Sequence, residues 1–130
     1  MSLDFSDHKI LKSADKVEKL QINFNPSTHI FPSIGKNFKN LKQVEIGEKE
    51  KPNTIKFINR SDFSGLSALE SLVIYNAHIN SIPDDVFWDL TALTFIELSN
   101  VTFANFTDDF SENIFSKNSK LETIRLRELF

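Results

Sequence analysis

Apolar residues recur along this chain at a spacing that no single helix or strand produces. The run Phe87-x-x-Leu90-x-x-Leu93-x-x-Ile96-x-Leu98 repeats Phe63-x-x-Leu66-x-x-Leu69-x-x-Leu72-x-Ile74, and Phe115-x-x-Asn118-x-x-Leu121-x-x-Ile124-x-Leu126 follows the same frame. The step of two at Leu72 and Ile74 is that of a strand with one buried face. The steps of three before it suit tight turns rather than a sustained 3.6-residue period. The folding unit is therefore a short strand with a return, used again and again. One such unit cannot bury its own apolar face, so the copies must stack, each packing mainly on its neighbours.

The frame extends towards the N-terminus. Phe38-x-x-Leu41-x-x-Val44-x-Ile46 fits, with Gly35 in the first apolar slot, and so does Ala14-x-x-Val17-x-x-Leu20-x-Ile22. Repeats start near Val17, Leu41, Leu69, Leu93 and Leu121, giving periods of 24, 28, 24 and 28 residues. Residues 1–16 read as a partial unit. The third repeat is the most regular and runs from Leu69 through Leu72, Ile74, Ile79 and Ile82-Pro83 to Phe87.

This pattern resembles the leucine-rich repeat family in its long form, L-x-x-L-x-L-x-x-N-x-L-x-x-(I/L)-P followed by F-x-x-L. The resemblance runs from about Leu3 to Phe130. It implies an α/β fold, a right-handed leucine-rich repeat solenoid. A parallel sheet would line the concave face, with loops and short helical turns on the convex face. The reading is one leucine-rich repeat domain over 1–130, as a piece of a longer solenoid. The chain departs from the pattern in one slot. Asn25 fills the family's asparagine position, but Lys49, Ala77, Val101 and Leu129 follow it there, so the usual asparagine ladder is expected to be mostly absent.

The irregularities fall outside the strands. Four extra residues in the second repeat lie within Gly47–Thr54, a polar stretch that reads as a protruding loop. Four more lie between Phe106 and Phe115, where 107–114 reads as a longer helix. Pro83-Asp84-Asp85 is expected to open a short helical turn, with its acids near the positive end of the dipole. Repetition also explains thirteen phenylalanines beside one tyrosine and one tryptophan: the same core slots are refilled, and Phe63, Phe87 and Phe115 should stack as a spine.

Residues with catalytic potential are scattered. His8, His29 and His78 fall in different repeats, whereas a metal site needs convergent ligands. There is no cysteine, which excludes disulfides, thiolate ligands and cysteine nucleophiles. Asp84-Asp85 and Asp108-Asp109 read as helix caps. No glycine-rich phosphate loop or G-x-S-x-G elbow occurs. The expectation is a chain without enzymatic activity, metal or cofactor. The polar opening Met1–His8 lacks the apolar core of a signal peptide. No apolar run approaches 18 residues, so no membrane insertion is expected in this segment.

The outward positions of the strands form the informative surface. They carry seven acidic and four basic side chains, a net of −3, which disfavours nucleic acid. On this face Val73, Tyr75 and Phe95 are apolar where water is expected, and exposed aromatics of this kind mark protein interfaces. The protein-binding set is Val73, Tyr75, Asn76, Phe95, Glu97, Arg125 and Arg127. Sequons for glycosylation occur at Asn59, Asn100 and Asn105, no more than composition alone yields. The functional reading is a protein-binding module in a secreted or cell-surface glycoprotein, such as a receptor ectodomain. The alternatives are a cytoplasmic scaffold or adaptor of the same fold and a spacer without a ligand. Self-association through open solenoid ends is a further expectation.

Overall fold

The computed structural model describes residues 14–22, 34–50, 56–80, 82–103 and 113–127. Five strands, β1 (Lys19–Ile22), β2 (Gln43–Ile46), β3 (Ser71–Tyr75), β5 (Phe95–Ser99) and β7 (Thr123–Arg127), form one parallel sheet in the order β1-β2-β3-β5-β7. Beyond the bend, β4 (His78–Ile79) and β6 (Thr102–Phe103) pair in parallel as a second, shorter ribbon. Cross-strand partners lie 24, 28, 24 and 28 positions apart, for example Lys19 with Gln43 and Gln43 with Ser71. The extra residues are thus absorbed between strands, and the register is undisturbed.

Entry to the sheet is the same in each turn. The Glu18 carbonyl accepts from the amides of Lys42 and Gln43, and the Lys42 carbonyl from those of Glu70 and Ser71. Glu70 repeats this with Thr94 and Phe95, and Thr94 with Glu122 and Thr123, all at 2.8–3.0 Å. Backbone donors that would otherwise be orphaned at the strand starts are satisfied by the neighbouring turn.

Alternation then decides burial. Leu20, Val44, Leu72 and Ile96 align across the sheet, as do Ile22, Ile46, Ile74 and Leu98, and all eight are buried. Behind them Leu41, Leu69 and Leu93 close the core. The phenylalanine spine forms: the rings of Phe63 and Phe87 lie 5.7 Å apart and tilted, and those of Phe87 and Phe115 lie 5.7 Å apart and stacked. Such offset or tilted pairs suit the ring quadrupoles.

Gly35 occupies the spine slot of the second turn. It belongs to a four-residue helix, α1 (Ile34–Asn37), that packs on α2 (Arg60–Phe63). A Cβ on Gly35 would sit 2.0 Å from the carbonyl oxygen of Ser64. Gly65 faces it with φ +85°, a left-handed conformation that glycine adopts without strain.

α2 starts with a capping box. The Asn59 amide donates to Asp62 Oδ2 at 2.9 Å, and Asn59 Oδ1 accepts from the Ser61 amide at 3.1 Å. This explains a buried aspartate in an apolar layer. The next turn differs from its expectation. After Pro83 no helix forms; the amides of Val86, Trp88, Leu90 and Leu93 each donate to the carbonyl three residues back. Of the Asp84-Asp85 pair expected to cap it, Asp84 is exposed and Asp85 pairs with Arg60, as does Asp89. The helix expected over 107–114 lies mostly outside the described residues.

The family's asparagine slot carries no ladder among the described residues, as expected, but an asparagine ladder forms beside it. Ala77 and Val101 fill the family slot and are buried in the core, whereas Lys49 is exposed. The ladder exists one residue earlier. Asn100 Nδ2 donates to Asn76 Oδ1 at 2.8 Å, and Asn76 Nδ2 donates to the carbonyls of Glu48 and Lys49 at 2.6 and 2.8 Å. Both asparagines have φ near +54°, where Asn is the most tolerant residue after glycine. The start of the 47–54 loop is therefore tethered; residues 51–54 lie outside the described set.

Candidate functional site

Three rows of outward side chains cross the sheet. The first runs Lys19, Gln43, Ser71, Phe95, Thr123; the second Gln21, Glu45, Val73, Glu97, Arg125. The third contains Tyr75, Ser99 and Arg127. Neighbouring strands lie about 4.8 Å apart, so charges on adjacent strands meet within a row or on the diagonal between rows. Lys19 pairs with Glu45 at 3.8 Å, and Lys42 with Glu18 at 3.9 Å. Glu97 forms ion pairs with two arginines, Arg125 at 3.7 Å and Arg127 at 3.3 Å. The Arg125 guanidinium also lies over the Phe95 ring, 5.3 Å from its centre. A planar guanidinium suits this double use of carboxylate and ring.

The site residues divide into two groups. Phe95, Glu97, Arg125 and Arg127 converge, with Phe95 half-buried and both arginines exposed. Val73 and Tyr75 do not present an exposed patch. They point away from the core yet are only 7% and 9% exposed. Val73 lies between Glu45 and Glu97 in the register of the sheet. Asn76 is half-buried and occupied by the ladder. Tyr75 is thus not the water-exposed aromatic that its outward position suggests.

Burial, then the Glu45 and Glu97 carboxylates, raise the Tyr75 phenol above its ordinary 10.0, and Arg127 opposes them. A raised folded value means that the folded state holds the proton longer. The stabilising contribution is complete below pH 10 and is lost as pH rises through the folded value. Tyr75 is the sole tyrosine, so phenolate absorbance reports it alone. The expected midpoint lies above 10 in the folded protein and returns to about 10 in denaturant. Equal midpoints in the two states would mean that the ring is solvated.

Sequence reasoning missed a cluster on the turn side. Arg60 donates to Asp89 through Nε and Nη2 at 3.2 and 2.9 Å, and that bond raises its pKa. Trp88 is held between Arg60 and Lys117, at 5.9 and 5.6 Å from its ring, while its Nε1 donates to the Asn113 carbonyl at 3.2 Å. The only sequence signal was one tryptophan beside an Asp-rich turn. Of the sequons, Asn59 is a half-buried cap and Asn100 is exposed with its amide on the ladder; Asn105 lies outside the described residues. Among the described residues His78 is exposed, no group of His, Asp and Glu could hold a metal ion, and no helix is long and apolar enough to cross a membrane. His8, His29, Asp108 and Asp109 lie outside them.

The family model described as leucine rich repeat matches residues 51–101, the stretch that holds β3, β4 and β5. The fold is a leucine-rich repeat solenoid. Among solved structures, this leucine-rich repeat chain is similar to one in the Toll–Spatzle complex, a molecular hub in Drosophila development and innate immunity, at 26% identity and a TM-score of 0.68. The similarity covers 86% of this chain and 14% of that one, so the leucine-rich repeats here span a small part of its length. No curated protein matches. Fold and comparisons together make the chain a protein-interaction module.

Proposed function

We propose that this chain is a non-enzymatic recognition module of a secreted or cell-surface protein. It binds a protein partner on the outward face of its sheet. The carrying observation is the cluster of Phe95, Glu97, Arg125 and Arg127, in which one carboxylate pairs with two arginines and one of these lies over the aromatic ring. Preordered aromatic and arginine side chains are the residue types that dominate binding energy at interfaces, because little freedom remains to be lost. The similarity to a chain in the Toll–Spatzle complex supports recognition, and the exposed Asn100 sequon is compatible with secretion. The net charge of −3 makes nucleic acid a poor partner.

The test uses the double variant Phe95→Ala/Arg125→Ala. Its unfolding free energy is expected to change by about 1 kcal/mol at most, the sum of two surface changes. Partners recovered from extracellular fluid are then titrated calorimetrically against both proteins. The expected loss is about 2 kcal/mol or more, roughly thirtyfold in Kd. Unchanged affinity with an intact fold would move the binding site off this face.

A further inference from the structure

The first outward row has a notch at its centre. Ser71 of β3 stands there between Gln43 of β2 and Phe95 of β5. The row also holds Lys19 and Thr123, so serine is its smallest side chain. Gln43 and Phe95 are two strand spacings apart, about 10 Å. A planar group that touches a neighbour on each face needs two contacts of about 3.5–4 Å, so one such group fits above Ser71. β2, β3 and β5 each have a strand on both sides, so the notch is a feature of the interior of the sheet.

Phe95 forms one wall. The Arg125 guanidinium lies over its ring from the β7 side, which leaves the face towards β3 for a second group. The charges around the notch are acidic. Glu70 immediately precedes Ser71, is exposed, and forms no ion pair among the described residues. Glu45 and Glu97 stand on the two diagonals from Ser71. Glu97 is answered by two arginines, but Glu45 has only Lys19, at 3.8 Å. The nearest lysine, Lys42, pairs with Glu18.

We propose that this notch receives an arginine side chain of the protein partner. Its guanidinium stacks on the β3-facing side of Phe95, as that of Arg125 does on the other, and its N–H groups reach the carboxylates of Glu45 and Glu70. A guanidinium is flat, carries five donors and serves a ring and a carboxylate at once. A partner aromatic ring fits the width but makes no use of the carboxylates, and a partner carboxylate meets like charge. The inference rests on the sheet-face reading proposed above and names the group that the face takes.

The first test supplies the group from within the chain. Ser71→Arg is expected to raise the thermal midpoint by about 3 °C over Ser71→Leu. The difference should vanish in a Phe95→Ala background and shrink in 1 M salt. The second test titrates a partner protein recovered on the wild-type chain. Ser71→Arg, which fills the notch, should weaken it at least tenfold. Glu45→Gln/Glu70→Gln should weaken it about tenfold and flatten its salt dependence. Blocking the partner's arginines with phenylglyoxal should abolish the difference between wild type and Ser71→Arg. A Ser71→Arg midpoint no higher than that of Ser71→Leu would overturn the inference. So would a partner that is weakened by Phe95→Ala/Arg125→Ala but not by Ser71→Arg, or that is tightened by the glutamine pair; the sheet-face reading would then stand without it. Unchanged affinity for all three variants removes the reading and the inference together.

Discussion

Replacing Phe87 by alanine is expected to cost about 3–5 kcal/mol, the range for a large aromatic removed from a closed core. Phe87 has no exposure, and it is the middle ring of the spine, in contact with both Phe63 and Phe115. The cavity would be walled by backbone turns held at fixed spacing by the sheet, so collapse around it is limited. Loss of one ring also removes both of its ring pairs. Urea denaturation followed by circular dichroism measures the cost, and Trp88 fluorescence reports the adjoining turn. A loss below about 1 kcal/mol would mean that the turns close over the gap, and that the spine fills space without holding the layers together.

The second large effect has the opposite chemistry. Gly35→Ala adds one methyl group and improves helix propensity by about 1 kcal/mol, so propensity alone predicts stabilisation. The structure predicts a loss of about 3 kcal/mol, at the upper end of overpacking costs. The new Cβ would meet the Ser64 carbonyl oxygen and lie 2.9 Å from the Gly65 carbonyl carbon, both of them backbone. A side-chain tip could swing away, but these atoms move only if the α1 and α2 layers separate. Gly65→Ala should cost roughly 1–2 kcal/mol through its φ of +85°, with less contribution from crowding. Stabilisation by Gly35→Ala would show that the two layers are not locked at this point.

The core was legible in the sequence because burial here follows a fixed local rule. Every strand presents alternate residues inward, so Leu72, Ile74, Ile96 and Leu98 could be placed by spacing alone. The outward face was less legible. Whether Val73 is wet depends on Glu45 and Glu97, which are 28 and 24 residues away and reach it only across the strand register. Tyr75 is covered in the same non-local way. The asparagine ladder was missed for a different reason: the family slot was inspected, and the functional pair sits one residue before it. Asn76 and Asn100, 24 apart and each preceding a small or branched apolar residue, were the available signal. Asn118 showed as a break in the leucine pattern, but its two backbone acceptors lie in the preceding turn and only the fold reveals them.

The alternation of 24 and 28 residues between cross-strand partners separates two kinds of change in this molecule. A turn can lengthen by four residues while each outward row keeps its neighbours, because entry to the next strand is fixed by the same pair of amides on one carbonyl. Length is thus a freedom of the rim, and residue identity a freedom of the face. A designer could graft a loop of different size between β2 and β3 without re-aiming Phe95 or Arg125, provided that the Glu48 and Lys49 carbonyls stay within reach of Asn76. Conversely, a new specificity could be written across the rows by point substitution, with no alteration to the spacing that holds the stack together.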